Sequence, residues 1–273
     1  MENILKIIYD KSLINKLLDF NDIEKVLELL IINNELNEYI LNINVQSIRS
    51  NNLASYSAYD KSITIYSGMI EFMIQNIEKN ILLTNDFEKM LYKNLSLLQI
   101  ILHEVEHANQ IKIAYTNNSL EALIIRMTYL TNYSSQKSLY ECCPTERFAE
   151  IKSYKEIQLL VSYIDKKLIR LQKTIESDEL QRLLKGYHYK NTNVESPLIN
   201  YFKLSKKEQI LNYFDWYSKK KQETLNSVSS NYNLNDRLKY GFPIDTNEYS
   251  SCMKKLVLSL NEDFINRTNY KFK

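Results

Sequence analysis

The stretch from about residue 86 to residue 114 constrains the fold more than any other. Leu91, Leu95, Leu98, Ile101, Leu102 and Val105 recur at the helical period and spread apolar surface over much of the circumference. A helix of that kind has to be wrapped by other elements. Into it the chain sets two of its three histidines, in the order His103-Glu104-Val105-Glu106-His107. Four residues apart, the imidazoles project from one face about a turn from each other, the separation that brings two ring nitrogens onto one metal ion. Glu104, beside the first ligand, can act on a water at the site without taking a coordination position. With so few histidines, chance produces the pattern with a probability on the order of 0.003. The rival reading pairs both histidines with neighbouring carboxylates and Tyr hydroxyls, since polar groups in an apolar helix are costly when unpartnered.

A metal held by two histidines needs a further ligand from another element. The segment Cys143-Pro144-Thr145-Glu146-Arg147-Phe148-Ala149-Glu150 offers one. Pro144 suits the first turn of a helix, and Glu146 and Glu150 then share a face at i and i+4. One carboxylate can ligate while the other accepts a hydrogen bond from a ligand histidine and fixes its tautomer. The spacing leaves open which does which. Cys142 and Cys143 are adjacent, whereas mixed Cys/His sites space their cysteines, so both read as small buried residues. His188 and Tyr133 are distant candidates for a hydrogen-bond donor, and Trp216 with Phe214 and Tyr217 reads as core or as an interaction patch.

Around this centre the first forty residues read as helix, with Asn21 or Asp22 as cap for Ile23, Val26, Leu27, Leu29 and Leu30. Alternation in Tyr39–Ile48 and in Ser62–Tyr66 predicts two or three short strands between about 39 and 67. Helices follow at roughly 69–80, 86–114, 118–131 and 144–176, then near 178–185, 205–228 and 246–265. A small early sheet followed by helices is a helix-dominated α+β arrangement. The expected organisation is a domain over 1–176, comprising a helical lead-in over 1–38, the sheet, the histidine helix and the helix of Glu146, with a helical region of open role over 177–273.

Composition removes other chemistries. Gly68, Gly186 and Gly241 lie too far apart for a phosphate-cradling loop or a dinucleotide fingerprint. Residues 1–150 carry 13 Lys/Arg against 19 Asp/Glu, and residues 151–273 carry 22 against 14, so the basic second half is a surface on which a protein partner could dock. Acids such as Asp178, Glu179 and Glu208 interrupt the basic excess, which disfavours nucleic acid and suits solvated helix faces. No apolar run approaches a membrane span, the N-terminal segment lacks the core of a signal peptide, and three cysteines, two of them adjacent, fit a reducing compartment; the expected location is cytoplasmic.

His-Glu-Val-Glu-His followed by a later helix bearing a glutamate resembles the zincin metallopeptidases of the gluzincin type. The segment Tyr140–Glu150 is similar to the corresponding part of the anthrax lethal factor protease domain, and more loosely the chain resembles the zinc peptidases of phages and mobile elements. The resemblance implies a zinc ion on His103, His107 and Glu146, with Glu104 as general base, Glu150 behind a ligand and Tyr140 as a hydroxyl that stabilises the tetrahedral oxyanion. It also implies a protein or peptide substrate added as an antiparallel strand to a sheet edge, for which Ser62–Tyr66 is the expected strand. Glu106 departs from the family, whose peptidases carry uncharged residues there, and Tyr140 stands about one residue nearer the glutamate than in lethal factor. Two alternatives belong to other classes: an interaction module of zincin fold with a structural metal or none, and a zinc hydrolase of a non-peptide substrate.

Overall fold

The computed structural model describes residues 16–48, 52–80, 85–117, 119–130, 143–170, 208, 211, 213–219 and 247–258. In chain order the named elements are α1 (Phe20–Asn33), β1 (Asn42–Gln46), β2 (Ala54–Ser57), β3 (Ser62–Tyr66), α2 (Ser67–Asn80), α3 (Asp86–Thr116), α4 (Leu120–Leu130) and α5 (Pro144–Arg170). Two further helical stretches are described at 213–219 and 247–258. The described residues thus form the helix-dominated α+β arrangement with a small early sheet. Among them no helix is long and apolar enough to cross a membrane. By contacts the chain falls into two units, Met1–Asn109 with Ala149–Ser196, and Gln110–Phe148 with Pro197–Lys273. The boundary expected near residue 176 lies outside the described residues.

In the first unit α1 is capped earlier than expected. Asp19, rather than Asn21 or Asp22, is the N-cap: its Oδ1 accepts the Asp22 N–H at 2.9 Å, and Asp22 Oδ2 accepts the Asp19 N–H at 3.1 Å. This reciprocal pair satisfies two donors at once, which a single cap at either later residue would not. The helix ends in a Schellman turn, with Leu36 N–H on Ile31 O at 2.9 Å and Glu35 N–H on Ile32 O at 3.1 Å. Glu35 takes the left-handed conformation there, at φ 54°.

The sheet order is β1-β3-β2. β1 runs parallel to β3 with Ile43 opposite Ile63 and Val45 opposite Ile65, and β2 runs antiparallel with Tyr56 opposite Ile63 and Ala54 opposite Ile65. Ser62–Tyr66 is therefore the middle strand and not an edge, which corrects the sequence expectation. Its burial accords with that place: Ile63 and Ile65 are the most deeply buried strand residues, whereas β1 is mostly exposed. β2 lies within what reads as a polar loop, because Ala54-Ser55-Tyr56-Ser57 has too little apolar alternation to stand out. These strands pack with α1, α2, α3 and the later turns of α5 in one core, where Leu27, Leu30, Leu91, Leu95, Leu98, Leu160 and Ile164 are almost wholly enclosed. α3 is wrapped as its pattern requires: Leu91–Leu98 are all buried, the polar Lys93, Asn94 and Ser96 included. Asn94 earns its buried place by accepting from Leu18 N–H at 2.9 Å and donating to Lys16 O at 3.0 Å.

The second unit has its own core, formed by Leu123, Ile124 and Met127 of α4 with Tyr213, Trp216, Tyr249, Cys252 and Leu256. Trp216 is 2% exposed, so it serves as core and not as an interaction patch. The phenols of Tyr213 and Tyr249 meet at 3.0 Å, which satisfies both hydroxyls inside the cluster.

Candidate metal centre

The buried stretch of α3 carries the histidines. Their rings lie edge to face, 4.7 Å apart between centroids at 86°, and their Nε2 atoms approach to 3.1 Å. On the other side of His103, Nδ1 lies 3.1 Å from Glu150 Oε2. A carboxylate only accepts, so the His103 proton belongs on Nδ1 and the Nε2 lone pair faces His107. Glu150 is steadied in turn by Gln99, whose Nε2 donates to Glu150 Oε1 at 3.1 Å. Gln99 is a residue of the candidate site that no sequence motif marks. Its signal was position, since it stands one helical turn before His103 on the same face.

Glu146 opens α5 one turn before Glu150. One ligand atom each from His103, His107 and Glu146 can be chosen so that all three lie within 4.8 Å of one another. The group could hold a metal ion, and its chemistry supports that. Two metal–nitrogen bonds of 2.0–2.1 Å at a tetrahedral angle place the nitrogens about 3.3 Å apart, close to the observed Nε2 separation. Two imidazole nitrogens and one carboxylate oxygen suit a borderline divalent cation. Of the two carboxylates left open by spacing, Glu146 falls in the group that could hold a metal ion and Glu150 lies on Nδ1 of His103.

The start of α5 is fixed within its own unit. Pro144 occupies the first helical position. Gln110, fully buried, donates to Thr145 O at 2.8 Å, and the Tyr129 hydroxyl donates to Gln110 Oε1 at 3.2 Å. Cys143 lies buried just before the helix with Sγ 3.2 Å from Thr145 Oγ1, and burial, reinforced by the nearby Glu146 carboxylate, pushes its thiol up to about 12. It is held as a thiol, consistent with a small buried residue.

Glu104 and Glu106 are both 8% exposed. Glu104 follows His103 directly and sits beside the ligand group in sequence and on the helix. Glu106 has its own partners: Oε1 lies 3.1 Å from Lys152 Nζ, and Oε2 accepts from Asn109 Nδ2 at 3.1 Å. Burial raises its pKa, opposed by the Lys152 charge and by these hydrogen bonds. Tyr140, Tyr133, Cys142 and His188 lie outside the described residues. Comparison with known family models, with curated proteins and with solved structures returns no match.

Proposed function

We propose that the chain is a zinc-dependent peptidase of zincin type, hydrolysing protein or peptide substrates inside the cell. The observation that carries the reading is the convergence of His103, His107 and Glu146, with Glu150 on the outer nitrogen of His103. Zinc bound there would polarise the scissile carbonyl and make water a competent nucleophile near neutral pH. Glu104 takes the proton from the attacking water and returns it to the leaving amine. Glu150 keeps His103 in the tautomer whose Nε2 can ligate, and Gln99 keeps Glu150 in place. Buried surroundings strengthen each of these charges by excluding water. In the same reading Tyr140 stabilises the oxyanion, and an edge of the sheet, β1 or β2 rather than β3, receives the substrate backbone. A protein partner is assigned to the basic second half.

Glu104→Gln is the first test. It should retain the metal while peptide hydrolysis falls by about 10²–10⁴, the usual contribution of a positioned acid–base group. Elemental analysis of protein purified without added metal provides the companion measurement. Near-stoichiometric zinc in the parent and none in His103→Ala is expected, and negligible metal in both would sink the site. A Glu104→Gln variant that hydrolyses peptides as fast as the parent would refute the mechanism.

A further inference from the structure

Glu106 is the residue of the histidine motif that the proposed chemistry does not use. It is acidic, buried, and paired with a half-exposed lysine from the helix that carries Glu150. An ion pair with one partner as exposed as Lys152, at 38%, is a poor device for stability alone, because solvent screens it and its net contribution is small. What such a pair does supply is a defined geometry. Each Glu106 oxygen has one donor, Lys152 on Oε1 and Asn109 on Oε2, so the carboxylate cannot turn without losing a bond.

The position of Lys152 gives that geometry a use. It follows Glu150 by two residues, about 200° round the helix, so the two side chains leave α5 on different flanks. Glu150 contacts α3 at Gln99 and His103, and Lys152 contacts α3 at Glu106. One contact alone would let α5 roll about its axis and carry Glu150 away from His103 Nδ1. Two contacts on opposite flanks resist that roll. Packing on the Lys152 flank is incomplete: a cavity of about 30 Å³ lies there among Leu30, Leu102, Val105, Glu106, Ser153 and Glu156, and the buried Glu156 Oε2 has no hydrogen-bond partner.

The geometry points to Glu106 and Lys152 as a positioning pair that locks the rotation of α5 against α3, so that Glu150 stays on His103 and the metal ligands keep their arrangement. This rests on the metal-site reading above. The pair is net neutral, so removing both charges leaves the field at the site nearly unchanged and isolates the mechanical effect.

The test uses the full chain carrying Glu106→Met with Lys152→Met, compared with the parent for thermal stability, zinc affinity by chelator competition, and the visible spectrum with cobalt(II). The double variant should match or exceed the parent in stability yet bind zinc about tenfold more weakly, with an altered cobalt spectrum, as expected when a supporting contact behind a ligand is lost. Lys152→Arg, which keeps the charge, should hold affinity within about twofold. Should the methionine pair not fold, Glu106→Gln with Lys152→Ala carries the same expectation, because it too removes both charges of the pair. A folded double variant that binds zinc within about twofold of the parent, with an unchanged cobalt spectrum, overturns the pair's role. A parent that binds no metal removes the site reading and the pair's role together, so the two failures are distinguishable.

Discussion

Replacing Glu150 by Gln separates holding a ligand from being one. In the parent, His103 Nδ1 lies 3.1 Å from Glu150 Oε2, with side-chain exposures of 13% and 23% for the pair, so solvent screens the contact only in part. Glutamine keeps the length of the side chain and an acceptor oxygen, and Gln99 can turn its own amide to meet the new NH₂. What disappears is the charge. Hydrogen bonds to a charged group contribute about 1.5–3 kcal/mol against about 0.5–1.5 for neutral ones, so the loss comes to about 1 kcal/mol or slightly more. The corresponding fall in zinc affinity is about five- to tenfold. Glu150→Ala also frees the ring to rotate and should reach the upper part of the 10- to 100-fold range for residues behind a metal ligand. Gln99→Ala, which leaves the carboxylate in place, should cost about threefold or less. Competition against a chromophoric chelator at neutral pH measures all three. Two results refute the reasoning: a Gln variant binding within about twofold of the parent makes the contact incidental, and a Gln variant that loses metal as fully as His107→Ala makes Glu150 a ligand in its own right.

Other consequences can be measured without any substrate. Glu35 sits at φ 54°, where a side chain meets its own backbone, so Glu35→Gly should stabilise the protein by about 0.5–1 kcal/mol in denaturant unfolding with an unchanged m value. Burial raises the Tyr56 phenol, which donates to Tyr39 O, to about 12, so the folded chain keeps a proton that the unfolded chain releases from about pH 10. Stability from this group is complete below about pH 10 and is lost as pH rises toward 12; Tyr56→Phe should flatten that part of the stability profile, and a profile equally steep in both proteins would exclude the assignment. Cys143, buried and held as a thiol, should resist alkylation at pH 8 in the native state and react on unfolding, as read by mass spectrometry of the labelled peptide.

The elements that could be read from the sequence are those whose burial leaves a period. Leu91–Leu98 of α3 are buried all round, so apolar residues had to recur over much of the helix there, and its bounds of Asp86–Thr116 lie within two residues of the expected ones. β3 alternates because Ile63 and Ile65 share one buried face. Alternation reports which face is buried and carries nothing about lateral neighbours, which is why Ser62–Tyr66 could be taken for an edge although it is the middle strand. β2 pairs through its backbone with only Ala54 buried, and a strand held mainly by main-chain bonds leaves almost no side-chain trace.

The candidate site divides along the same line. The four-residue spacing of His103 and His107 is a local constraint of one helix, so sequence alone conveys it. Glu146 and Glu150 have that same spacing on α5, and the pattern is symmetric between them. Only the placement of α5 against α3 breaks the symmetry: Glu150 lies on Nδ1 of His103, and Glu146 falls in the group with His103 and His107 that could hold a metal ion. The polar contacts made there involve residues with no motif of their own. Gln99 is an ordinary amide on a helix, and Glu106 looks like a departure from the pattern until its partner Lys152, 46 positions later, is in view. A ligand motif therefore names the atoms that touch a metal, whereas the side chains that hold those atoms still are chosen by contacts between helices and can be recognised only once the helices are packed.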